Sequence, residues 1–130
     1  MIAVDTNIIV RLIVGDDEDQ VRRALALAAR ETFYVSLTVL EEVEWVLRSR
    51  FDYDRAGVCA ALEELAGVVK LAFEHEADVR WALGRFALGG ELGDYLHIVS
   101  ARRIGRFASF EHKLARRAGP DAPVAIEIPD

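Results

Sequence analysis

Four acidic residues are spaced so that each falls just behind a strand-like run or near the start of a helical one. Asp5 interrupts the apolar run "IAVDTNIIV", between Ile2-Ala3-Val4 and Ile8-Ile9-Val10. A carboxylate at the seam of two segments that both favour the interior needs compensation. Burying an unpaired charge costs several kcal/mol, on the order of a small domain's whole stability. Glu42 lies in "SLTVLEEVEWVLRSR", where Val39, Leu40, Val43, Val46 and Leu47 share one helical face and Ser36 stands as N-cap. Glu41 points away from that face, while Glu42 and Glu44 flank it. Glu44 has Arg48 four residues on, the ordinary surface pairing, whereas Glu42 has no cation three or four residues away. Asp94, in "GGELGDYLHIVSARR", sits in the first turn of a helical stretch with His97, Ile98 and Ala101 behind it. Glu111, in "FASFEHKLARRAG", opens the last helix after Ser109.

Taken singly, each acid has a plain explanation. Asp94 and Glu111 complement a helix dipole, Ser109 caps, and His97 packs against the sheet. Taken together, carboxylates gathered without Lys or Arg repel one another unless a hard divalent cation neutralises them. Oxygen ligands without His/Cys zinc spacing suit Mg²⁺ or Mn²⁺.

The elements that must position these residues follow from periodicity. Strand-like runs cover 2–4, 33–35, 68–71, 106–108 and 124–126, and helical patterns cover 7–14, 19–30, 38–50, 55–65, 76–86, 93–104 and 110–117. Strands alternating with helices predict an α/β fold with a parallel sheet covered on both faces. Ligands bind at the carboxyl edge of such a sheet, and Asp5, Ser36 and Ser109 all follow strands.

Composition bounds the reading. The 130 residues are 52% hydrophobic and 29% charged, a globular profile for one domain over 1–130. A net charge of −6 argues against a non-specific nucleic-acid coat protein but not against an enzyme with an acidic metal site. The lone Cys59 forms no internal disulfide, no run spans a bilayer and no signal peptide opens the chain, so a cytoplasmic setting is expected. Between 101 and 119, Arg102, Arg103, Arg106, Lys113, Arg116 and Arg117 face only Glu111. This stretch is either a solvated face or a nucleic-acid contact surface.

The blocks "VDTNIIVRL", "VSLTVLEEVEWVLRS", "GDYLHIVSARR" and "ASFEHKLARRAG", in this order, resemble the PIN-domain family, particularly the VapC toxins of bacterial toxin–antitoxin systems. The resemblance runs from Ile2 to Gly119. It implies a three-layer α/β/α sandwich with a central, mostly parallel sheet, and a metal-dependent ribonuclease. Asp5, Glu42 and Asp94 match the family's metal-binding carboxylates, and Asn7 and Ser109 match polar positions near them. Two departures keep the charge and lengthen the arm by one methylene. Glu111 stands where many relatives carry aspartate, and so does Glu91, three residues before Asp94.

The expected chemistry is hydrolysis of an RNA phosphodiester by metal-activated water. Asp5, Glu42, Asp94 and Glu111 would hold Mg²⁺ or Mn²⁺, with Asn7, Ser109 and Glu91 supporting them. The resemblance also implies a VapB-like antitoxin partner and a homodimer, for which Trp45 and Trp81 are candidate contacts. Three other readings remain. An aspartyl-phosphate hydrolase would want an acid where Asn7 stands. A catalytically silent PIN-fold binding module would not need the acids. A PIN nuclease of RNA processing outside toxin systems would share the site.

Overall fold

The computed structural model describes residues 1–130 and divides into two compact units, Met1–Glu74 and His75–Asp130. In the first unit, β1 (Ile2–Ala3) leads into the helical pair α1 (Thr6–Val14) and α2 (Glu18–Ala28), then β2 (Phe33–Val35). The chain continues through α3 (Leu37–Arg50) and α4 (Arg55–Val68) to β3 (Leu71–Phe73). The three strands form a parallel sheet in the order β1-β2-β3, with Ile2 opposite Phe33 and Phe33 opposite Leu71. Two helices intervene between successive strands because a parallel connection must return the chain to the same end of the sheet.

The core of this unit is formed by β2 residues Phe33 and Val35 with helix residues such as Ile9, Val10, Leu40, Val43, Leu47 and Val58. Helix boundaries are written in local chemistry. Asp5, Asp17, Ser36 and Asp54 each cap a helix, accepting from the backbone N–H three residues on. Gly15 ends α1 in a left-handed conformation, with φ at 71°.

Two expectations are corrected here. The strand expected at 68–71 lies at Leu71–Phe73, because Val58, Leu62, Leu65 and Val69 are buried at helical spacing and carry α4 through Val68. Val68 itself is 75% exposed. The run Ile2-Ala3-Val4 is not a buried strand: β1 is an edge strand, and only Val4 is buried.

The second unit contains α5 (Glu76–Leu88), α6 (Leu92–Ser100), β4 (Arg106–Ala108), α7 (His112–Ala118) and β5 (Ala125–Glu127). Helices α5 and α6 pack on each other, burying Val79, Ala82 and Phe86 along with Leu92, Tyr95, Leu96, Ile98 and Val99. Trp81 meets Tyr95 edge-on at 5.9 Å, and the Tyr95 hydroxyl donates to the Gly89 carbonyl at 2.6 Å. Strands β4 and β5 pair in parallel, with Phe107 opposite Ile126. Every strand pairing in the chain is thus parallel, as the α/β class requires, but the pairing is three-stranded in one unit and two-stranded in the other. No helix is long and apolar enough to cross a membrane.

Candidate functional site

In the first unit the carboxyl end of the sheet presents a row of polar residues, one behind each strand. Asp5 follows β1 and caps α1: the Ile8 N–H donates to its Oδ1 at 3.1 Å. It is exposed, so the buried charge that its sequence position implied does not arise. The helix N-terminus and solvent offset the carboxylate instead. Only Oδ1 is engaged, which orients the group and leaves Oδ2 unengaged. Asn7, in the first turn of α1, is also exposed.

Ser36 follows β2 and caps α3, accepting from the Val39 N–H at 3.2 Å. Glu74 follows β3, and its Oε1 accepts from the Leu37 N–H at 2.8 Å. Sequence reading missed Glu74 because the misplaced third strand left it away from any strand end. Its correct position repeats that of Asp5 behind β1.

On α3, Glu42 is exposed and takes part in no ion pair. Glu44 contradicts its surface assignment: it is only 4% exposed, and Arg48 Nε donates to it at 2.9 Å. It is the acid of this helix that packing encloses. A buried carboxylate held by an arginine is a structural group, since losing the partner would strand its charge.

The same unit has a cleft of about 430 Å³ beside Asp5, with Asn7, Arg11, Gln20, Arg23 and Arg30 also on its walls. Arg11 is fixed in place, donating through Nε to Gln20 at 2.8 Å and through Nη1 to both oxygens of Asp16 at 3.0 and 3.1 Å. The helical patterns alone did not single out these arginines. Their signal is the stripe Gln20, Arg23, Ala24, Leu27 and Arg30, spaced as one face of a helix.

In the second unit, Asp94 lies in the first turn of α6, as expected, and is exposed. Glu91 occupies the N-cap position in extended conformation, and its backbone carbonyl accepts from the Asp94 N–H at 3.2 Å. His97 is exposed, one turn after Asp94, and does not pack in the interior as expected. Glu111 is the N-cap of α7 and not a first-turn residue. Its Oε1 accepts from the Lys113 N–H at 3.0 Å, while Ser109 Oγ accepts from the Glu111 N–H at 3.0 Å. Ser109 therefore shapes the turn that presents Glu111.

The basic stretch is partly neutralised within this unit. Arg102 grips Asp78 with two hydrogen bonds, at 2.9 and 2.8 Å, and Arg106 grips Glu127 likewise at 2.6 and 2.8 Å. The hydrogen-bonded Arg102 guanidinium holds the Asp78 carboxyl below its ordinary range, and Arg106 does the same for Glu127. Arg103, Lys113, Arg116 and Arg117 remain exposed. Trp81 is not a free surface residue, since its Nε1 donates to the Ala118 carbonyl at 3.2 Å. Trp45, 51% exposed, is one.

No three His, Cys, Asp or Glu side chains are grouped so as to hold a metal ion. What fits a hard divalent cation is the donor chemistry. Asp5, Glu42, Asp94 and Glu111 are all exposed carboxylates, and none is tied up by a Lys or Arg.

Comparison with known families decides what these residues belong to. The PIN domain model matches residues 2–120, spanning both compact units. The chain belongs to the PIN domain family. It therefore has a nuclease-type fold, and PIN domains are generally nucleases that use divalent metal ions. No curated protein and no solved structure gave a significant match to this PIN domain.

Proposed function

We propose that this PIN domain is an Mg²⁺- or Mn²⁺-dependent endoribonuclease and the VapC-type toxin of a toxin–antitoxin pair. One observation carries the reading. Asp5, Glu42, Asp94 and Glu111, the acids at the motif positions, take part in no ion pair, whereas Asp16, Asp19, Glu31, Glu44, Asp78 and Glu127 are all committed to cations. Exposed acids such as Glu41 and Glu63 share this lack of an ion pair, so it is the motif positions that single these four out among the available carboxylates.

In this proposal Asp5, Glu42, Asp94 and Glu111, the carboxylates at the motif positions, are the candidate metal ligands. A cation held there would supply a lowered pKa for water and neutralisation of charge on the leaving oxygen. The Ile8 N–H fixes Asp5 through Oδ1, and the Lys113 N–H fixes Glu111 through Oε1, so each offers its other oxygen without a rotamer search. Asn7 orients a carboxylate or water, Ser109 holds the turn under Glu111, and Glu91 adds negative charge near Asp94. A VapB-like antitoxin, a homodimer contact that includes Trp45, and a cytoplasmic location complete the proposal.

The test is linkage. Mn²⁺ or Mg²⁺ at millimolar concentration raises the melting temperature, since a ligand that binds only the folded state stabilises it. Asp94→Asn removes most of that shift and the cleavage of RNA. Melting indifferent to both ions, with cleavage intact in EDTA, overturns the metal-dependent reading.

A further inference from the structure

We propose that the cleft between α1 and α2 is a backbone-binding subsite for single-stranded RNA, in which Arg23 and Arg30 contact phosphates flanking the one to be cleaved. The inference rests on the nuclease reading and adds to it the path of the substrate beside Asp5. The cleft is an opening of about 430 Å³ with Asp5 and Asn7 among its lining residues. Its walls also include Arg11, Arg23 and Arg30, and with Arg11 paired to Asp16 the other two guanidinium groups still outnumber the carboxylate of Asp5. In a chain of net charge −6, this is a local reversal of sign beside a proposed catalytic residue. A polyanion needs such a reversal to approach an acidic enzyme.

The three arginines are not equivalent. Arg11 is held by Asp16 and Gln20, so it forms a fixed and largely neutralised part of the wall. Arg23 reaches Asp19 only at 3.5 Å, and Asp19 is held more closely by Arg22 at 2.6 Å. Arg30 donates its backbone N–H to the Leu27 carbonyl at 3.1 Å, while its guanidinium takes part in no hydrogen bond or ion pair. Arg23 and Arg30 are therefore the groups free to turn to phosphate. They stand seven residues apart, Arg23 on α2 and Arg30 in the turn just past its end at Ala28.

The lining also says what is recognised. No aromatic side chain is present for stacking, and Gln20, one of two amides, is already engaged by Arg11. The grip is on the backbone and carries no base preference.

The experiment measures binding of a fluorescent 15-nucleotide uridine RNA by anisotropy in EDTA, from 25 to 200 mM KCl. Neutralising one contact to a single strand lowers the salt slope by about 0.7. The Arg23→Gln/Arg30→Gln double variant therefore shows a slope smaller by about 1.4, whereas Arg22→Gln, on the same helix but outside the cleft lining, leaves it unchanged. An RNA of mixed sequence gives the same loss. In Mn²⁺ the double variant raises KM while kcat stays within about twofold of wild type. A slope equal to that of wild type overturns the subsite, as does failure of the wild type to bind at 25 mM KCl. A loss confined to an acidic peptide offered as competitor also overturns it and makes the cleft a protein-binding site. Asp5→Asn separates the two readings. It abolishes cleavage but keeps the salt slope if both hold. Normal cleavage by Asp5→Asn removes the nuclease mechanism and leaves the slope measurement to judge the cleft by itself.

Discussion

Replacing Asp5 with Asn and with Ala separates chemistry from folding, because the geometry assigns this residue two tasks that the substitutions divide. As an N-cap, Asp5 accepts from the Ile8 N–H. Asn caps about as well as Asp, so Asp5→Asn keeps that bond and gives up only the charge–dipole attraction, about 0.3–1 kcal/mol. Asp5→Ala loses the cap as well, a further ~1 kcal/mol. For a chain of 130 residues, 1 kcal/mol corresponds to about 4 °C in Tm. The Asn variant should thus melt about 1–4 °C below wild type at most, and the Ala variant about 5–8 °C below it. The assay pairs calorimetric melting in EDTA with cleavage of a fluorogenic RNA in Mn²⁺. Both variants should lose cleavage by several orders of magnitude despite their different stabilities. Activity that instead tracks Tm, high in Asn and lower in Ala, would show Asp5 to be a cap alone.

Other substitutions test neighbouring parts of the structure. Glu111→Gln keeps the acceptor for the Lys113 N–H and drops the charge, so its Tm should stay within about 2 °C of wild type while RNA cleavage falls clearly; full activity would reduce Glu111 to a cap. Arg48→Ala strands the buried Glu44 carboxylate and should cost about 2 kcal/mol, between the limits for exposed and buried pairs, by urea denaturation. Asp78, whose folded-state pKa is depressed by Arg102, contributes stability above the unfolded-state value and loses it as pH falls through the lower folded-state one. The Tm gap between wild type and Asp78→Asn should accordingly be greatest at neutral pH and close below about pH 4; a gap independent of pH would refute the pairing.

Local chemistry was legible in the sequence. Ser36 before an apolar helical stripe reads as a cap, and it caps α3. The strands at 33–35 and 106–108 lie where expected, because a β-rich run bounded by polar residues has few other conformations open to it. Motif order sufficed for the family, and the positions of Asp5, Glu42, Asp94 and Glu111 follow from that order. Where a side chain ends relative to solvent was not legible. Asp5 sits in an apolar run yet is exposed, while Glu44, spaced for a surface pair, is buried. Flanking residues of an amphipathic helix lie at the margin of its buried face, and what packs against that margin decides their burial. The strand placed at 68–71 failed for a related reason: an apolar run satisfies both periods until the buried set Val58, Leu62, Leu65 and Val69 settles it as helix. Only the folded first unit brought Arg23 and Arg30 of the α2 segment to the same cleft as Asp5. Residues 18 and more positions apart share a wall through packing, and hydrophobic burial, being non-directional, leaves no mark of that neighbourhood in the local sequence.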